Sequence, residues 1–160
     1  MENSVIVEAQ MLIRKPVATV FQAFIDPAIT TKFWFTKSSG SLEEGKTVTW
    51  EWEMYGFSTT VCVKEIIKDK KISIEWSVPV TKVDFEFNAL TADTTYVTIK
   101  NFGFELTGND LIEMVKGNTG GFTAVLDGLK AFLEHDINLN LIADKFPDKL
   151  TERWKREYNL

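Results

Sequence analysis

The stretch Gly120-Gly121-Phe122-Thr123-Ala124-Val125-Leu126-Asp127-Gly128-Leu129-Lys130-Ala131-Phe132-Leu133-Glu134-His135 decides the fold. Its apolar residues Phe122, Val125, Leu126, Leu129, Phe132 and Leu133 recur at three- and four-residue spacings, which places them on one helical face. No other stretch has a helical period of this length. Residues 47–106 instead alternate apolar and polar side chains as strands do, so one long helix has to cover one face of a sheet. Just upstream, Asp110-Leu111-Ile112-Glu113 has the spacing of a helix start in which carboxylates meet free backbone N–H groups. Gly117, Gly120 and Gly121 are expected to interrupt or kink the chain before the long helix.

Working back from that helix, Thr47 to Met54 carries the clearest strand pattern. Val48, Trp50, Trp52 and Met54 share one face, and Thr47, Thr49, Glu51 and Glu53 the other. Phe57 to Ile67 continues as a strand whose facing shifts between Val63 and Ile66, which predicts a bulge. Ile72, Ile74 and Trp76 alternate in the next strand, Val83, Phe85 and Phe87 in another, and Thr95 to Phe104 forms the last. At the amino end, Ser4 to Ile13 reads as a first strand. Pro16 suits the first turn of a helix carrying Val17, Val20, Phe21 and Phe24, and Asp26-Pro27 ends it. Phe33-Trp34-Phe35 puts three aromatics in a row. Three consecutive side chains cannot all face one core direction, so at least one is expected at a surface, a pocket mouth or a partner interface.

Composition narrows the functional classes. With 160 residues the chain suits one domain, taken as residues 1–146, with a charged tail over 147–160. In that tail Trp154 and Tyr158 share a helical face and are expected to dock on the body or on another subunit. The chain carries 18 basic and 23 acidic residues, a formal net charge of −5, with no dense basic run, which argues against nucleic-acid binding. Cys62 is the single cysteine, so no internal disulfide forms and a reducing cytoplasm fits best. Met1-Glu2-Asn3-Ser4 lacks the features of a signal peptide, and no stretch reaches the length of a membrane span.

Candidate chemistry is sparse. His135 is the only histidine and falls at the end of the long helix, where a cation suits the helix dipole. One His and one Cys do not make a His/Cys zinc site, and no cofactor-binding motif is present. Cys62 lies between Val61 and Val63 in a strand and reads as structural. The carboxylates Glu51 and Glu53, and Asp84 and Glu86, read first as solvated strand faces; turned into a cavity, one of them would be a candidate acid. No residue set is assigned as catalytic. What stands out is aromatic content: 12 Phe, 5 Trp and 3 Tyr, residues that fill cores rigidly and also line pockets.

The order of strand, post-proline helix, antiparallel meander and long carboxy-terminal helix resembles the helix-grip fold of the START-like (SRPBCC) superfamily. Within it, the chain is similar to the family named after the heat-shock-protein-90 ATPase activator. The matching pieces are Ile13-Arg14-Lys15-Pro16-Val17-Ala18-Thr19-Val20-Phe21-Gln22-Ala23-Phe24, the Asp26-Pro27 break, Phe33-Trp34-Phe35, and Gly121-Phe122 opening a helix with Leu126, Leu129 and Leu133. The resemblance implies an α+β fold in which a curved antiparallel sheet of six or seven strands wraps the long helix, with a short helix pair after the first strand. It also implies a cavity between sheet and helix for an apolar or aromatic small molecule. Trp34, Trp50, Trp52, Met54 and Trp76 are the candidate lining residues from the strands and aromatic loop. Phe85, Phe87, Phe104, Phe122 and Leu126 complete the expected wall. The alternatives are a co-chaperone-like module docking a chaperone, with a homodimer as a further partner state, and a polyketide cyclase- or hydrolase-like enzyme using Glu53 or Glu86.

Overall fold

The computed structural model describes residues 4–147, so the expectation for Trp154 and Tyr158 lies outside the described residues. Strand β1 (Val7–Ile13) is followed by helix α1 (Val17–Ile25), the single turn α2 (Pro27–Thr30), the two-residue β2 (Lys37–Ser38) and β3 (Thr47–Trp52). A 3-10 turn at Glu53–Tyr55 leads into β4 (Phe57–Ile67), β5 (Lys71–Trp76), β6 (Thr81–Thr91) and β7 (Thr94–Phe102). Helices α3 (Gly108–His135) and α4 (Leu141–Lys145) follow. All seven strands form one antiparallel sheet in the order β1-β7-β6-β5-β4-β3-β2, and α3 lies along it: the α+β helix-grip architecture.

Local chemistry explains the element ends. The Pro16 carbonyl accepts from Thr19 and Val20 N–H at 3.0 and 3.2 Å, opening α1. The Asp26 carboxylate accepts from Ala28 N–H at 2.9 Å, so this residue ends α1 and caps α2. In β4 the pairing with β5 shifts between Val63 and Glu65, the bulge that the change of facing predicts.

Two expectations are corrected. The first concerns α3, a single helix of 28 residues that begins at Gly108, ahead of Asp110, and runs unbroken through Gly117, Gly120 and Gly121. Glycine in a helix interior costs about 1 kcal/mol relative to alanine. That cost is offset by the continuous face farther along, where Val125, Leu126 and Leu129 are fully buried. The second is Met54, which leaves the strand: β3 stops at Trp52, and Met54 sits in the 3-10 turn, partly buried.

The aromatic triplet falls within its expectation: Phe33, Trp34 and Phe35 are all buried, and Phe33 and Trp34 also line a cleft. They lie in a turn segment rather than a straight strand, so their side chains fan apart. Phe33 packs edge-on against Phe24, Trp34 enters the space between sheet and α3, and Phe35 stacks on Trp50 at 4.5 Å. A β-carbon built on Gly128 of α3 would meet the Phe33 side chain and carbonyl at 3.2 Å. The absence of a side chain at Gly128 is what lets this segment press against the helix.

Candidate ligand site between the sheet and the long helix

The strand register arranges the inward-facing residues in rungs. Val61, Trp76 and Thr81 are paired across β4, β5 and β6, and Val63, Ile74, Val83, Asn101 and Val7 across β4, β5, β6, β7 and β1. Ile72, Phe85, Ile99 and Ala9 form the next rung. The interior therefore has two chemically different ends.

At one end phenylalanines dominate. Phe21 and Phe24 of α1 meet Phe87 of β6 edge-on at 5.4 and 5.6 Å, and Phe24 also contacts Phe85 at 5.2 Å. These are the offset and edge-to-face geometries that aromatic quadrupoles favour. At the other end indoles dominate. The Trp34 ring lies 4.8 Å from Trp50, 5.8 Å from Phe85, 5.9 Å from Trp76 and 6.1 Å from Phe122, so aromatic walls from β3, β5, β6 and α3 surround it. Trp76 in turn lies 6.2 Å from Trp50 and 5.7 Å from Phe122.

Of the expected lining residues, the structure brings Trp34, Trp50, Trp76, Phe85 and Phe122 into this one cluster. Trp52 is farther out, against Phe35 and Phe57. Phe87 belongs to the phenylalanine end, and Phe104 and Leu126 are buried core. Met54 lines a cleft of about 80 Å³ that opens beside Trp34.

Two groups escaped the sequence reading. The first is a polar rung at the indole end. Asn101, fully buried, donates from Nδ2 to the Thr81 hydroxyl at 3.0 Å and to the Lys82 carbonyl at 2.9 Å, and its Oδ1 accepts from Asn118 of α3 at 2.8 Å. Its signal was present, because Asn101 continues the inward alternation of Val97 and Ile99. Beside this network the indole N–H of Trp76 is buried and has no hydrogen-bond partner among the described residues. Buried donors are nearly always paired, which makes this one an exception that needs a partner.

The second group is α4, which packs back over α3. Leu141 Cδ1 lies 3.7 Å from the β-carbon position of Gly128, and Lys145 Nζ 3.3 Å from that of Gly120. The segment Asn138–Ala143 forms the outer wall of the cleft at Trp34. It is tied to the β3–β4 turn by the Tyr55 hydroxyl, which lies 2.9 Å from the Ile142 carbonyl and 2.8 Å from the Phe146 carbonyl. A phenol has one proton to donate, so the two carbonyls share it.

The carboxylates considered for catalysis lie elsewhere. Glu86 and Asp84 alternate with the buried Val83, Phe85 and Phe87, hence face away from α3, and meet Lys100 at 3.2 Å and Lys71 at 3.8 Å. Glu51 meets Lys37 at 3.6 Å, and Glu53 is exposed in the 3-10 turn. The shifted carboxylate is Glu134, whose side chain is 10 % exposed. Burial alone would raise its pKa, but the Lys130 ammonium at 2.6 Å and the Arg14 N–H at 3.1 Å outweigh burial and hold it below the ordinary value. Lys130 also donates to the Leu12 carbonyl at 3.0 Å, so this group staples α3 to β1. Among the described residues no three His, Cys, Asp or Glu side chains gather as metal ligands, and no helix is long and apolar enough to cross a membrane.

Solved structures share this architecture. A protein from Staphylococcus saprophyticus is 27 % identical, with 84 % of this chain and 96 % of that one covered at a TM-score of 0.74. The Aha1 dimer from Colwellia psychrerythraea is 18 % identical over 82 % of this chain and 97 % of that one, at a TM-score of 0.69. An HSP90 activator from Plasmodium falciparum is 19 % identical over 82 % and 97 %, at 0.64. No curated protein matches the sequence. Residues 14–134, from the end of β1 to the Glu134 staple, match the family model described as Activator of Hsp90 ATPase homolog 1-like protein, and the chain belongs to that family.

Proposed function

We propose that this protein binds a neutral aromatic or apolar small molecule between the sheet and α3, at the indole end, in the cytoplasm and without catalysing a reaction. The observation that carries this reading is the Trp76 N–H, buried and unpartnered in a wall of aromatic rings. Affinity would come from burying ring faces, with the lone donor orienting the ligand. The cleft beside Trp34 is about 80 Å³, below the roughly 300 Å³ of a small-molecule site. Binding therefore requires Trp34 and the α4 segment to yield. A catalytic reading has less support, because Glu86 faces away from this space and pairs with Lys100.

Native mass spectrometry of the purified protein before and after denaturation tests the proposal, together with a thermal-shift screen of aromatic compounds. A co-purified small molecule released on unfolding, or a compound raising the melting temperature in a saturable way, is the expected result. An empty spectrum together with a screen that produces no shift would remove the proposal.

A second reading, a co-chaperone-like module, is favoured by family membership and by apolar side chains at one end of the sheet. Val78 is 96 % exposed and Val80 57 %, in the loop joining β5 and β6, and Phe57 begins β4 nearby. Co-purification of a heat-shock ATPase that is lost on Val78→Asp would support it. Unchanged retention by Val78→Asp and Phe57→Asp would not.

A further inference from the structure

We propose that the ring of Trp34 occupies the place of the ligand, and that Trp76 selects ligands carrying a hydrogen-bond acceptor. The inference rests on the small-molecule reading above and names the chemical class: a planar, neutral, bicyclic aromatic group with a carbonyl or similar acceptor at its edge.

Three observations carry it. First, Trp34 differs from the other indoles in its origin. Trp50 and Trp76 project from β3 and β5, whereas Trp34 comes from the turn segment between α2 and β2. Displacing it unpicks no strand pairing, and the cleft bounded by Asn138–Ala143 opens directly beside it. Second, the rings of Trp50, Phe85, Trp76 and Phe122 surround Trp34 at 4.8 to 6.1 Å, a cage shaped for one planar bicycle. The cage side chains carry no charge, so the group that replaces Trp34 is neutral.

Third, the donor left over is Trp76 Nε1. Thr81, its register partner on β6, is already engaged by Asn101, and Thr59 accepts from the Ser77 N–H at 3.3 Å. Both hydroxyls are thus engaged elsewhere, and Trp34, whose indole has a donor but no acceptor nitrogen, leaves Trp76 without a partner among the described residues. A phenylalanine at this position would fill the wall without an orphaned donor. A ligand acceptor in the Trp34 cage would lie against the Trp76 indole and remove the penalty.

The test uses two probes of one shape, 1-indanone and indane, which differ by the carbonyl. Affinities are measured by calorimetry or by displacement of an environment-sensitive dye, for wild type, Trp76→Phe, Trp34→Ala and the milder Trp34→Leu. Wild type is expected to bind 1-indanone roughly fivefold to tenfold more tightly than indane. Trp34→Ala, or Trp34→Leu if the first is unfolded, should bind both probes more tightly and keep the preference. Trp76→Phe should equalise the two probes without losing indane. Equal binding of both probes by wild type would overturn the role of Trp76 and leave the site standing. Wild type binding neither at saturating probe would overturn the site together with this inference, even if Trp34→Ala binds, since that would mark only an engineered cavity.

Discussion

The two ends of the space between sheet and α3 are both lined by aromatic rings and differ in how they are closed. At the phenylalanine end the rings of Phe21, Phe24, Phe85 and Phe87 carry no polar atom, and α3 is fastened to β1 by Glu134 and Lys130. At the indole end an N–H is left unsatisfied, the central ring comes from a turn segment, and the outer wall is the five-residue α4 tied by the Tyr55 phenol. Charge-assisted hydrogen bonds are roughly twice as strong as neutral ones. On the reading proposed above, one end is a permanent core while the other is a core with a removable part.

Truncating a ring at each end has the largest expected effect. Phe24→Ala removes contacts to Phe33, Phe85 and Phe87 and is expected to cost about 3–5 kcal/mol in urea unfolding. Trp34→Ala should cost less, about 3 kcal/mol or below, although its side chain is larger, because α4 and the adjoining cleft allow the site to relax. Equal losses would make the two ends one uniform core.

A smaller effect separates the two closures by pH. The Glu134 pKa is held below the ordinary glutamate value of about 4.3. A depressed carboxylate stabilises the fold at neutral pH, and that stabilisation is lost as pH falls from the ordinary value through the folded one. Glu134→Gln should therefore be less stable than wild type by about 1–2 kcal/mol at pH 7. Urea unfolding at pH 7 and near pH 3 should show the gap closing in acid. A gap that persists in acid would mean that the staple acts through packing instead of charge.

Much of this arrangement could be read from the chain, for reasons that differ between elements. The strands were legible because each keeps one buried face, so that Val83, Phe85 and Phe87 alternate strictly with Asp84, Glu86 and Asn88. The second half of α3 was legible from its period and a helix start near Asp110 from its capping pattern, whereas the continuity through Gly117, Gly120 and Gly121 was not. Glycine propensity argues against a helix there, and only the fold as a whole overrides it. Burial of all three residues of Phe33-Trp34-Phe35 depends on a turn that the alternation rule cannot anticipate. The cluster of Trp34, Trp50, Trp76, Phe85 and Phe122 was present in the inventory of aromatics, but its separation from Trp52 and Phe87 is set by their places along the strands. The tie from Tyr55 to Ile142 joins residues 87 positions apart, and no local pattern encodes it.

Removing that tie disturbs the molecule least. Tyr55→Phe keeps the ring and deletes the hydroxyl shared by the Ile142 and Phe146 carbonyls, both near the protein surface. A neutral hydrogen bond of this kind is worth about 0.5–1.5 kcal/mol, so global stability should fall by no more than that. The loss should be local. Amide exchange at residues 141–146 is expected to quicken up to about tenfold, as a wall that has lost this tie opens more often, while the amides around Leu126 and Leu129 stay as slow as in wild type. The same variant should admit an aromatic probe to the Trp34 cage faster, with little change in final affinity. If exchange quickened equally along α3 and β1, the two ends would open together and the indole end would have no independent motion. If exchange at α4 did not change, the tie would not be what closes the cleft.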